Sequence, residues 1–217
     1  WADGSSIFNV DALRRFTLKE GELICDAPLG NPGLNAAADG SDGRPKVALD
    51  ELRIFGFLDP ALGGAGGDFA AIATVGTDGN GYFYLLDIWL KRATPAVQLA
   101  HAYDLHATWS YAGFGVEVNA FQKLLLDQFE IERTKRRNGG RAWDLPVIER
   151  RHRQDKASRI MALEPKLRNG WMLVNREIDG ELLAQLGDFP NGRHDDGPDA
   201  VAAATELAQQ TRIQLLE

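Results

Sequence analysis

Five acidic residues stand where acids are uncommon. Asp59 closes the apolar run FGFLDPA, Glu117 lies between Val116 and Val118 in GVEVN, and Asp195, Asp196 and Asp199 crowd into HDDGPDA. Hydrolysis of a phosphodiester by two divalent cations calls for such a set. Carboxylates from separate elements gather two ions about 3.5–4 Å apart, which clamp the attacking and leaving oxygens. Mg²⁺ takes oxygen ligands and keeps several waters, so few protein carboxylates suffice. Each acid also has a plain structural reading. An Asp before Pro60 is an ordinary turn former, Glu117 can face solvent from a half-exposed strand, and the aspartates of HDDGPDA can cap a helix and complement its dipole. The signal lies in their joint occurrence, in this order, on this succession of elements.

A second charged feature lies between the last two groups. From Glu132 to Lys156 nine basic residues face four acidic ones, a surplus of five, inside a 217-residue chain whose formal charge is −7. An acidic total ordinarily points away from nucleic acid, but here the remainder of the chain carries −12 and the molecule is polarised. The candidate contacts to DNA phosphates are Arg136, Arg137, Arg141, Arg150, Arg151, Arg153, Lys156 and Arg159, with RRNGGR (residues 136–141) as a loop tip reaching over a duplex. Such contacts give affinity without sequence information and weaken with salt. The alternative is a solvated loop. Asn119 and Gln122 follow Glu117, where they orient substrate or cap the next helix.

The elements that must position these residues follow from periodicity and turn chemistry. Residues 52–59 form a short apolar run ended by Pro60, a buried strand. Residues 69–77 and 82–90 are two strands joined by Asp78-Gly79-Asn80-Gly81, a strong hairpin signal. Thr94 and Pro95 open a helix to about Tyr111. Residues 113–118 form a strand, 120–129 a helix, 145–148 a strand and 156–167 a helix; a strand at 171–174, a short helix at 180–186 and a final helix at 198–210 complete the order. Three antiparallel strands, then strands alternating with helices, make an α/β protein with a mixed sheet flanked by helices. Residues 1–50 read as an entry segment outside the core, because Asp26–Pro45 is a Gly/Pro/Asn/Asp-rich run with little to pack. The core domain is expected over 51–217.

Composition closes off other classes. With 44% apolar and 25% charged residues the chain sits on the globular average, and no apolar stretch spans a bilayer. The single cysteine, Cys25, cannot form an internal disulfide, which suits a reducing compartment. Trp1 is followed by no signal-peptide pattern, as expected of a piece of a longer chain. Gly63–Phe69 lacks the Lys-Ser/Thr ending of a P-loop, there is no Gly-x-Ser-x-Gly elbow, and His101, His106, His152 and His194 lack zinc-ligand spacing. His101 and His106 read as helix-surface residues, and His194 is notable only for its neighbouring aspartates.

Four stretches together resemble the C-terminal nuclease domain of the large terminase subunit of tailed bacteriophages, which has an RNase H-like fold. They are FLDPALGGAGGDFAAIATVG, GVEVNAFQKLLLDQF, QDKASRIMALEPKLRNGWMLV and LLAQLGDFPNGRHDDGPDAVAAA, covering roughly residues 52–208. The resemblance implies Asp59 and Glu117 as metal ligands, with a third from Asp195, Asp196 and Asp199. Asp196 ranks first, since it sits one turn from Asp199. It also implies two Mg²⁺ or Mn²⁺ ions, hydrolysis of concatemeric double-stranded DNA to 3′-hydroxyl and 5′-phosphate ends, and residence in the host cell cytoplasm. The implied partners are an ATPase domain preceding residues 1–50 in the full-length chain, the portal and the small terminase subunit. A junction resolvase or transposase of the same fold, and a non-catalytic module that binds DNA or a motor, stand as alternatives.

Overall fold

The computed structural model describes residues 6–27, 44–62, 68–117, 122–141, 144–151 and 155–214. The three strands predicted from apolar runs are present as β4 (Arg53–Asp59), β5 (Ala70–Thr77) and β6 (Phe83–Lys91), an antiparallel meander. The Asp78 carboxylate fixes its second turn, accepting the amides of Asn80, Gly81 and Tyr82 at 2.8–2.9 Å and the Tyr84 hydroxyl at 3.1 Å. Helix α1 (Pro95–Trp109) then leads to β7 (Gly113–Glu117), parallel to β4, and α2 (Gln122–Asn138) leads to β8 (Val147–Arg150), parallel to β7. The chain continues through α3 (Lys156–Met161), α4 (Glu164–Arg168), β9 (Met172–Asn175), α5 (Gly180–Asp188) and α6 (Asp196–Gln214). The single helix expected over 156–167 is therefore two, with Pro165 opening the second where its missing amide costs nothing.

The described strands of the entry segment belong to the sheet, contrary to expectation. β1 (Arg15–Lys19), β2 (Glu22–Cys25) and β3 (Lys46–Ala48) form an antiparallel ribbon. β1 joins it in parallel to β9, completing a nine-stranded mixed sheet of order β3-β2-β1-β9-β6-β5-β4-β7-β8. Phe16, Leu23 and Cys25 are fully buried. The Gly/Pro-rich run after β2 gives no local sign of this ribbon, which joins the rest of the sheet through the pairing of β1 with β9, more than a hundred residues away. The loop tip expected at 136–141 is likewise helical up to Asn138. It ends in a turn in which Gly140 takes a positive φ of 66° and the Arg141 amide reaches back to the Arg136 carbonyl.

Side-chain alternation splits the core into two layers. Phe55 and Phe57 of β4 and Ala71, Ala73 and Val75 of β5 face α6, whereas Ile54, Leu58 and Ile72 face α1. The α6 layer is built from small residues, Ala200, Ala203, Ala204 and Ala208 over Ala71 and Ala73, so the helix lies close to the strands. A Cβ at Gly115 would collide with the ring of Phe57, so β7 holds glycine where that ring crosses it. No helix among the described residues is long and apolar enough to cross a membrane.

Candidate metal centre

Period-two alternation also decides where the strand acids point. Asp59 has the parity of Phe55 and Phe57 on β4, and Glu117 that of Gly115 on β7, so both face α6. β4 and β7 pair in parallel up to Leu58 and Val116, which sets Asp59 and Glu117 side by side just past the last pair. α6 runs across β4 and β5 and brings Asp199 from its first turn. Carboxylate oxygens of Asp59, Glu117 and Asp199 all lie within 4.8 Å of one another. Asp196 goes elsewhere. It groups with Asp68 and His194 at the same spacing, accepts the Phe69 amide at 3.3 Å and lies 4.0 Å from His194 Nδ1. The geometry thus favours Asp199 over Asp196 as the third member, because a helical step of three turned Asp196 towards the β5 entrance.

Two cations face these acids. Lys156 Nζ stands 2.7 Å from Asp195, 3.3 Å from Asp196 and 3.8 Å from Asp199. Arg159, one turn along α3, donates from Nε and Nη2 to the two oxygens of Asp199 at 2.7 and 2.6 Å. Burial pushes the Asp59 carboxyl well above its ordinary value, and the Glu117 and Asp199 charges push it further while Lys156 opposes them. Asp199 is raised by burial against the opposing pull of Arg159. Burial would lower the Lys156 ammonium, but the Asp195, Asp196 and Asp199 carboxylates raise it overall. Three acids from three elements, one of them held up by its neighbours' charges, form a donor set of hard oxygens that suits a divalent cation.

The loop leaving Asp59 is pinned by a residue the sequence gave no reason to select. Gln98, fully buried on α1, donates from Nε2 to the carbonyls of Ala61 at 2.6 Å and Ala93 at 2.8 Å. Its only sequence signal is a polar residue at a core position of an amphipathic helix. A second such residue is Gln185, whose Oε1 accepts the Gly197 amide at 2.9 Å and steadies the first turn of α6.

The basic residues are dispersed. Arg150 ends β8 beside Glu117, in register across β7, and Arg151 is exposed just beyond. Arg137 lies on the exposed end of α2 and Arg141, also exposed, in the turn beyond it. Two expected phosphate contacts are instead buried: Arg159 on Asp199, and Arg136, 5% exposed, between Glu132 at 2.7 Å and Asp104 at 2.9 Å. Neither guanidinium is available to DNA: α2 turns Arg136 inward to Glu132, one turn back on the same helix, and to Asp104 of α1, and α3 turns Arg159 inward to Asp199. Arg153, Asn119 and His152 lie outside the described residues, as does the side chain of Gln122. His106, expected on the surface, is largely covered and accepts the Tyr111 amide at 3.1 Å.

No protein-family profile matches the sequence, and no curated protein does. Solved structures do match the fold. The terminase nuclease domain of human cytomegalovirus superposes with a TM-score of 0.56 at 15% identity, over 75% of this chain and 85% of that one. The large terminase nuclease of thermophilic phage G20c, with bound magnesium, superposes with a TM-score of 0.54 at 12% identity, over 94% of this chain and 98% of that one. A structure of that phage nuclease with bound zinc gives 0.53 at 14% identity, over 92% and 97%. The chain therefore has an RNase H-like α/β fold that matches those of viral terminase nuclease domains.

Proposed function

We propose that this chain is a Mg²⁺- or Mn²⁺-dependent endonuclease of double-stranded DNA, the nuclease part of a large terminase that cuts concatemers during genome packaging. The observation that carries the reading is the convergence of Asp59, Glu117 and Asp199 from β4, β7 and α6, on a fold matching terminase nucleases over nearly its whole length. In this reading the three carboxylates hold the metal, and Asp195 and Asp196, both in contact with Lys156, flank them. Bound divalent cations would supply an activated water and charge stabilisation at phosphorus.

The chain's own residues do the rest. Buried β4 and β7 hold Asp59 and Glu117 rigidly, and Gln98 ties the backbone just past Asp59 to the start of α1. Arg150 and Arg151 lie on the β8 flank, where duplex phosphates would pass the acids, and Lys156 offsets part of the local negative charge as the phosphates approach. The ATPase domain of the same full-length chain, the portal and the small terminase subunit are the proposed partners. The host cell cytoplasm is the proposed place of action, and residues 1–50 are the proposed approach from the ATPase domain.

Digestion of supercoiled plasmid by the purified chain tests the reading. Mg²⁺ or Mn²⁺ should support cleavage and EDTA abolish it, and Asp59→Ala, Glu117→Ala and Asp199→Asn should each be inactive. Cleavage that persists in any of these variants rules out the proposed centre. Preferential cutting of four-way junctions over linear duplex would move the assignment to a resolvase.

A further inference from the structure

We propose that Arg159 is a positioning residue for the metal centre: its guanidinium fork fixes the Asp199 carboxylate, and affinity for a divalent cation depends on that fork. The inference rests on the reading of Asp59, Glu117 and Asp199 as the ligand set, and adds a residue that touches neither metal nor DNA.

The geometry is specific. Arg159 is 6% exposed and Asp199 3% exposed, and the two guanidinium nitrogens meet both carboxylate oxygens at 2.7 and 2.6 Å. A two-point contact of this kind fixes the plane of the carboxylate, which a single ammonium cannot do. Each ionised carboxylate offers about four lone-pair sites. The fork therefore occupies one on each oxygen and leaves others for the Asp59–Glu117 side, where an Asp199 oxygen lies within 4.8 Å of both partners. Lys156 makes the contrast. It is more than a third exposed and touches three carboxylates with one point charge, which neutralises without orienting.

Adhesion of α3 to α6 does not account for the pair. Ile160 and Leu163 already bury that contact, at 0% and 2% exposure. An ion pair taken out of water is often no more stable than an apolar replacement of equal volume. The charge of Arg159, moreover, opposes a cation next to Asp199. Electrostatics alone therefore predicts that removing Arg159 tightens metal binding, and positioning predicts that it loosens it. The two accounts have opposite signs.

The test is Mn²⁺ binding to the 217-residue chain, read from the free-ion electron paramagnetic resonance signal, for wild type, Arg159→Lys, Arg159→Met and Asp199→Asn. Plasmid cleavage and metal-free melting are followed in parallel. Arg159→Lys keeps the charge and loses the fork. Its Mn²⁺ dissociation constant should rise about 10- to 100-fold, the range that orienting partners of metal ligands command. Its kcat should fall while KM for DNA holds. Arg159→Met should also bind more weakly, and in the Asp199→Asn background Arg159→Lys should have no further effect. Should Arg159→Met fail to melt cooperatively, Arg159→Lys and the double variant decide. Wild-type affinity in Arg159→Lys, or tighter binding in Arg159→Met, overturns the inference while leaving the centre intact. If wild type binds no Mn²⁺, or Asp199→Asn binds as wild type does, the centre itself is misread and the inference falls with it.

Discussion

At the basic end of α2, opposite charges are matched. Arg136 sits between Glu132 and Asp104, Arg133 lies 3.3 Å from Glu130, and Lys135 lies 3.6 Å from Glu132. Beyond the C-terminal ends of β4 and β7 they are not. Asp59, Glu117, Asp195, Asp196 and Asp199 gather there against Lys156, Arg159 and, in register with Glu117, Arg150, so acids outnumber bases. A run of like charge in sequence therefore says little about the field that a ligand meets. Three residues of the basic run, Arg133, Lys135 and Arg136, are spent on internal pairs, whereas isolated acids scattered over 140 positions assemble the concentrated charge. The region that remains out of balance is the one poised to take something up.

That comparison breaks most sharply at Asp59. Asp59→Asn should lower cleavage about a thousandfold or more, the scale on which loss of a catalytic group acts. The same substitution should raise the melting temperature of the metal-free chain at neutral pH, because it removes a carboxylate that burial and its neighbours hold out of its ordinary range. A fall in that temperature would show that the acids are not in conflict.

Metal should relieve the same conflict. At a hundredfold excess over its dissociation constant, Mg²⁺ or Mn²⁺ should stabilise the chain by about 2.7 kcal/mol, or about 5–10 °C for a domain of this size. The pH dependence has a definite sign. The folded-state Asp59 carboxyl is raised, so folding takes up a proton. Metal-free stability is therefore fully present below the ordinary carboxylate value and declines as pH rises towards the raised one. The metal-induced shift should be larger at pH 8 than at pH 5, and calorimetry with and without EDTA checks it.

The matched region should respond through stability alone. Arg136→Met removes one side of a buried pair whose partners are partly wet, Glu132 at 15% and Asp104 at 62% side-chain exposure. A loss of about 2 kcal/mol is expected, below the usual cost of a fully buried break, with unchanged DNA affinity. Arg151→Ala, on the exposed flank, should do the reverse. Its melting temperature should hold, and the slope of DNA affinity against salt should fall by about one. Equal salt slopes for the two variants would erase the distinction drawn between the regions.

Much of this was legible in advance, for physical reasons. The meander and its Asp78–Gly81 turn are local, fixed by apolar runs and by an aspartate that can accept three successive amides. Asp59 and Glu117 were conspicuous because a charged residue at the end of an apolar strand is costly without a use. The choice between Asp196 and Asp199 was not legible. Both lie in the first turn of α6, and only the crossing of that helix over β4 and β5 decides which of them faces the strands. The strands around Leu23 and Val47 are not marked locally, because they pair with each other and with β1, whose place in the sheet is set by the distant β9, and nothing local marks Gln98, a core glutamine that ties two loops.

The order of elements along the chain has a kinetic consequence. Asp59 is made early, on β4, whereas Asp199 arrives 140 residues later on α6, after every strand of the sheet. At ribosomal rates of about 5–20 residues per second, those 140 residues take roughly 7–28 s to synthesise. Over that interval the nascent chain carries Asp59, then also Glu117, without the residue that completes the set, and Arg159 once made waits without its partner. The centre can close only once α6 has left the ribosome and docked. A growing polypeptide of this design lacks its assembled carboxylate set until its fold is nearly complete.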